Sequence, residues 1–211
     1  MPNYDDDYIV FFTTVVSHAA IVPACLQLYR RRWMFEFSTA MFAVLTSFMY
    51  HFCQAFHTQF YLTELQWHRL DNIGAIACFS CTFIHFCCFK RAEVDMGVKY
   101  FALFVAILAQ ERYPWHIEYT VVPVVVFASL PFIVHALVHR NTPPWDMKEL
   151  AIAALTLMVA VPFFVMGLDD DNDPFRVFHG MWHLLGGLSM LHMWRVVKTH
   201  PSHPDPQKPL L

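Results

Sequence analysis

The sequence predicts an all-α integral membrane protein, a bundle of seven membrane-crossing helices. Hydrophobic residues make up 57% of the 211-residue chain and charged residues only 15%. With a mean hydropathy of +0.40, that is too apolar for a soluble domain. Apolar stretches near the ~20 residues needed to cross a ~30 Å hydrocarbon layer recur along the chain, each closed by a short polar break. Lys and Arg gather on alternate breaks, the asymmetry that orients membrane proteins.

The first span covers residues 8–29 and stops at the basic run RRRW, 30–33. The second covers 34–56 and leads into a polar outer loop; the third covers 69–89 and ends at Lys90 and Arg91. The fourth, 97–109, is the shortest and needs Asp95, Lys99 or Gln110 near the interfaces to reach full length. The fifth, sixth and seventh cover 117–138, 150–168 and 175–197. The N-terminus has neither the basic n-region nor the small-residue cleavage site of a signal peptide, so the first span is expected to be retained. Residues 1–200 read as one domain, and 201–211 as a flexible cytoplasmic tail within the proline-rich HPSHPDPQKPLL that begins at His200.

Seven spans place Arg30, Arg31, Arg32, Lys90, Arg91, Lys99, Arg140, Lys148, Arg195, Lys198 and Lys208 on one side. Only Arg69, Arg112 and Arg176 fall on the other. The basic side is cytoplasmic by the positive-inside rule, which puts the N-terminus outside and the C-terminus inside. Asp5, Asp6, Asp7 and the DDDND run at 169–173 lie on the outer face. The net charge of −3 leaves no contiguous basic surface, which excludes nucleic acid as a partner. Membrane lipids are the expected partners, a homo-oligomer is compatible with the architecture, and the location is the plasma membrane or a secretory-pathway membrane.

The chain carries 13 His, and their placement in depth separates them. His179 and His183, in RVFHGMWHLLGG, lie four residues apart in the first turns of the seventh span and so share a helix face. Near the outer end of the second span, LTSFMYHFCQ carries Ser47 and His51 at the same one-turn spacing. Asp71 enters with the third span in HRLDNIGA. Five polar residues from three helices thus come to about the same depth. Three neutral imidazoles with an open fourth position make a catalytic zinc site, and a carboxylate and a hydroxyl beside them could orient or deprotonate a bound water. Intramembrane ionisable groups mark function. His18, His85, His135, His139 and His192 read instead as hydrogen-bonding residues between helices or at interfaces. His57, His68 and His116 lie in outer loops, where a ligand shell is less rigid.

Cysteine signals are weaker. Cys78 and Cys81 form a CxxC on one apolar helix face, where small packing residues are expected, and Cys53 near the histidines also reads as packing. Cys87 and Cys88, beside Lys90 and Arg91, sit where S-palmitoylation would occur. Trp33, Trp67, Trp115, Trp145 and Trp194 fall at predicted interfaces, as an aromatic belt does.

Ser-x-x-x-His late in the second span, Asp early in the third and His-x-x-x-His opening the seventh resemble the CREST superfamily of alkaline ceramidases, adiponectin-type receptors, Per1-like proteins and the myomaker group. The resemblance covers nearly the whole chain. RRRWMFEF, SFMYHFCQ and the aspartate-rich loop before FHGMWH bring it nearest the myomaker branch, which also includes a GPI-directed phospholipase. The resemblance implies that His51, His179 and His183 bind Zn2+ while Ser47 and Asp71 attend the water or the oxyanion. It also implies an intramembrane hydrolase of a lipid ester or amide whose substrate enters laterally, or else a fusion protein in which zinc is structural. The tail ends QKPLL, so the cysteine-rich C-terminus of the myomaker group does not carry over. The His51 to Asp71 separation is longer than in alkaline ceramidases, which disfavours ceramide.

Overall fold

The computed structural model describes residues 4–169 and 171–202, with no strand among them. Asp170, the tail from 203 and the side chains of Asp5 and Asp6 lie outside the described residues. The first rod is built from α1 (Tyr4–Thr14), a 3-10 stretch (Val16–Ile21) and α2 (Val22–Arg30). Next come α3 (Met34–Ala55), α4 (Glu64–Phe86) and α5 (Ala92–Arg112). α6 (Glu118–Ile133) runs into a π-helical turn (Val134–His139), followed by α7 (Met147–Met166) and α8 (Val177–Val196). Among the described residues three helices are long and apolar enough to cross a membrane: Asp7–Arg30, Glu118–His139 and Met147–Met166. Every predicted span contains a helix, and the shortest, 97–109, is the middle of a 21-residue one.

Local chemistry sets the helix ends. α4 opens on a capping box: Thr63 accepts from the Gln66 N–H at 3.3 Å, and the Gln66 side chain accepts from the Thr63 N–H at 2.9 Å. At α7 the Asp146 carboxylate accepts from the N–H groups of Lys148 and Glu149. The Lys198 ammonium, 2.8 Å from the same carboxylate, holds its pKa below the ordinary range. Ahead of α8, Arg176 turns the chain through the left-handed region at φ 54°, and Asp173 accepts the His179 N–H at 3.1 Å.

α8 packs against α7 and the first rod, while α4 packs against α3, α5 and α6. Glycines set how closely helices meet, and a Cβ on Gly187 of α8 would lie 2.7 Å from the Ala20 carbonyl carbon of the first rod. A Cβ on Gly180 would lie 2.2 Å from the Thr13 carbonyl oxygen, and one on Gly74 would lie 2.7 Å from Ala43 Cα. Only glycine permits either approach, so Gly180 seats α8 on α1 and Gly74 seats α4 on α3.

Several sequence expectations change. Asp95, Lys99 and Gln110 of α5 are buried within the protein, each at most 1% exposed. The Lys99 ammonium sits 2.6 Å from Glu36 Oε1 of α3 and is also paired with Asp95. One ammonium thus serves two carboxylates inside the helix contacts. Trp33 and Trp194 are buried against His85 rather than forming a surface belt. Cys87 and Cys88 are buried thiols, which withholds them from acylation, and Cys78 and Cys81 pack in the core as expected. His200, read as the start of a loose tail, is buried, stacks on His85 at 4.3 Å and reaches the His85 carbonyl at 3.1 Å.

Two substitutions test this packing by thermal unfolding in detergent. Gly180→Ala is expected to destabilise by about 1–3 kcal/mol through overpacking. Gly186→Ala on the same helix, whose Cβ meets nothing within 4 Å, is expected to be neutral or stabilising by up to about 1 kcal/mol. Equal effects at the two positions would show that the seam yields easily. Lys99→Met strands two buried carboxylates and should cost about 3–5 kcal/mol. Combining it with Glu36→Gln and Asp95→Asn should recover most of that loss, and an undiminished unfolding temperature in Lys99→Met alone would refute the pairing.

Candidate metal centre

Three helical rods and α4 converge on one cluster. Ser47 and His51 lie one turn apart on α3, and His51 is fully buried. His179 and His183 occupy the first two turns of α8, Asp71 the second turn of α4, and His18 the 3-10 stretch of the first rod. The seam at Gly180, between the two α8 histidines, carries His183 against the first rod.

The distances are those of a ligand set. His51 Nε2 stands 3.1 Å from His179 Nε2. Ring centroids are separated by 4.7 Å for His51–His179, 5.0 Å for His51–His183 and 4.7 Å for His179–His183. Two nitrogens bound tetrahedrally to one zinc at ~2.0–2.1 Å stand roughly 3.3 Å apart, close to the His51–His179 separation. His18 packs on His183 at 4.0 Å, and one ring nitrogen from each of His18, His51 and His183 lies within 4.8 Å of the others.

The nitrogens facing away from the cluster meet polar groups. His51 Nδ1 lies 3.1 Å from Gln54 Oε1. His183 Nδ1 lies 3.1 Å from Ser17 Oγ and 3.2 Å from the Thr14 carbonyl. His179 Nδ1 is buried, and the Gly167 carbonyl lies near the ring. The Gly167 oxygen accepts from Arg176 at 3.1 Å. Imidazoles pinned on one nitrogen offer the other to a cation, and this donor set fits zinc.

His18 is held on both sides. Its Nδ1 donates to the Thr14 carbonyl at 2.7 Å and its Nε2 meets Ser47 Oγ at 2.7 Å. With Nδ1 carrying the hydrogen, Nε2 is an acceptor, so the Ser47 hydroxyl lies between two acceptors, His18 and the Asp71 carboxylate. His18 is therefore less available to a metal than His51, His179 and His183, although it shares their cluster.

All five residues singled out in the sequence come together here. Of the three histidines expected in loops, His68 instead lies on α4 and stacks on Tyr50 at 4.3 Å, while His57 lies 3.8 Å from Asp7 and His116 lies 3.0 Å from Glu118. His135, His139 and His192 bridge helices, contacting the Phe86 carbonyl, the Cys87 carbonyl and the Glu149 carboxylate. His18 makes the interhelical hydrogen bond expected of it, yet its place beside the cluster was missed. The signal was the polar run in TTVVSHAA, which puts Ser17 and His18 inside an apolar span.

No curated protein matches this chain. One family model does, described as a protein of unknown function (DUF3522), and it matches residues 6–184. That stretch begins in α1, ends one residue past His183 and takes in the whole cluster. The chain belongs to the DUF3522 family.

Proposed function

We propose that this protein is a zinc-dependent intramembrane hydrolase of a lipid ester or amide, built on a CREST-like bundle of seven spans with its N-terminus outside and C-terminus in the cytoplasm. The observation that carries this reading is the convergence of His51, His179 and His183 beside Ser47 and Asp71, with the first two Nε2 atoms 3.1 Å apart. His51, His179 and His183 would hold the ion through Nε2. Zinc bound there supplies Lewis acidity and an activated water.

The remaining steps belong to the chain's own side chains. Asp71 would receive the proton released as water attacks the lipid carbonyl and pass it to the alcohol or amine that leaves as the acyl bond breaks. Ser47, whose single hydrogen goes to His18 or Asp71, would hold Asp71 in place beside the zinc water. His18, anchored by the Thr14 carbonyl at 2.7 Å, keeps the Ser47 side chain in place. The substrate class follows from the setting: the first rod is apolar enough to cross a membrane, and a centre between it and α8 is reached by a lipid moving laterally.

A second reading is supported by the same convergence, which ties the first rod, α3, α4 and α8 together. In it the ion is a structural clasp in a myomaker-like protein that promotes membrane fusion. The carboxylate separates the two, since a clasp has no use for Asp71.

Protein purified in detergent should carry about one zinc per chain by mass spectrometry, and the double variant His179→Ala, His183→Ala should lose it. Reconstituted with a mixed lipid extract, the wild type should release fatty acid. Asp71→Asn should retain zinc and unfolding temperature while release falls by about 100-fold or more. Equal release by Asp71→Asn and wild type would end the hydrolase reading. Cell-cell fusion that survives Asp71→Asn but not the double histidine variant would put the clasp first.

A further inference from the structure

We propose that Gln54 and Ser17 are positioning residues of the metal centre, each holding the Nδ1 of one histidine so that its Nε2 faces the ion. The inference rests on the zinc reading above and concerns residues that lie outside the His, Ser and Asp motifs.

Ser17 settles the state of His183. Its hydroxyl has one hydrogen, and the Thr14 carbonyl, 2.6 Å away, can only accept it. Ser17 Oγ therefore meets His183 Nδ1, at 3.1 Å, as an acceptor. The Thr14 carbonyl, 3.2 Å from the same nitrogen, imposes the same demand. The hydrogen of the neutral ring is thus on Nδ1, and the Nε2 lone pair is free for a metal.

Gln54 does the same for His51 from the next turn of α3. Its amide nitrogen lies 3.3 Å from the Tyr50 hydroxyl and its Oε1 lies 3.1 Å from His51 Nδ1. With the amide in this orientation its oxygen accepts, which puts the His51 hydrogen on Nδ1. Its Nε2 then presents a lone pair at 3.1 Å from His179 Nε2, an approach that a shared cation stabilises.

This also gives the irregular first rod a role. The helix leaves the α form after Thr14 and continues as 3-10 from Val16. Within that stretch the Thr14 carbonyl accepts from Ser17 and His18 rather than serving only the backbone ladder. A 3-10 interruption inside a long helix commonly marks such a functional position.

The test is zinc affinity of the purified full chain in detergent, by competition with a chelator, for wild type and four variants. Ser17→Ala and Gln54→Leu remove the acceptors and are expected to weaken binding by about 10–100-fold each. Ser17→Thr and Gln54→Glu keep an acceptor and are expected to retain affinity within about threefold of wild type or better. With Co2+ in place of zinc, the visible spectrum should shift in the first pair and persist in the second. Thermal unfolding of the metal-free forms should be the same throughout. Unchanged affinity in both Ser17→Ala and Gln54→Leu, in a wild type that binds zinc, overturns this inference alone. Equal loss in the acceptor-keeping pair overturns it too, since packing would then be the cause. A wild type that binds no zinc removes the zinc reading and this inference together.

Discussion

The close approach of α8 to the first rod at Gly180 is the contact on which the rest of the centre depends. With only a hydrogen atom at that position, the α8 backbone can lie against the Thr13 carbonyl, where a Cβ would stand 2.2 Å from its oxygen. The two helices come from opposite ends of the chain. Their contact sets His183 beside Thr14, Ser17 and His18, and it places the pair His179 and His183 across from His51. A wider seam would separate the imidazoles by the extra distance and leave the Thr14 carbonyl without the His183 ring.

A second constraint follows from burying polar groups among apolar helices, where each must find a partner. α3 meets it in different ways at its two ends. Glu36 and His51 are 15 residues apart (51 − 36), or about 22 Å along a helix. At the Glu36 end the partners are charged: Lys99 is shared between Glu36 and Asp95. At the His51 end the groups are mostly imidazoles, and the Nδ1 atoms of His51 and His183 face Gln54, Ser17 and Thr14. The first arrangement ties α3 to α5 through one shared ammonium. The second turns ring nitrogens toward one another instead.

The residues that close the two ends differ as well. Asp173, Arg176 and Gly167 fix the start of α8 around His179. His200, stacked on His85 and 3.9 Å from Asp95, closes the other end with a segment beyond the last helix. Both ends are therefore sealed by irregular chain, and the helices between them supply only register.

The apolar stretches and their polar breaks determined the helical architecture, because length and hydropathy alone decide which segments can bury a whole helix surface. The four-residue spacings of Ser47 with His51 and of His179 with His183 determined that each pair shares a face, because helical periodicity is a local property. Depth along successive spans brought Asp71 into the same group. Tertiary structure decided the rest. His18 and Ser17 joined the site because a glycine on a distant helix let the first rod approach. Lys99 is buried beside Asp95 because Glu36, more than fifty residues earlier in the chain, supplies a further partner for its ammonium. Trp33, Trp194 and His200 went inside because His85 offered a ring to pack on. In each case the deciding partner lies far away in sequence, and its effect depends on a three-dimensional distance that local periodicity does not encode.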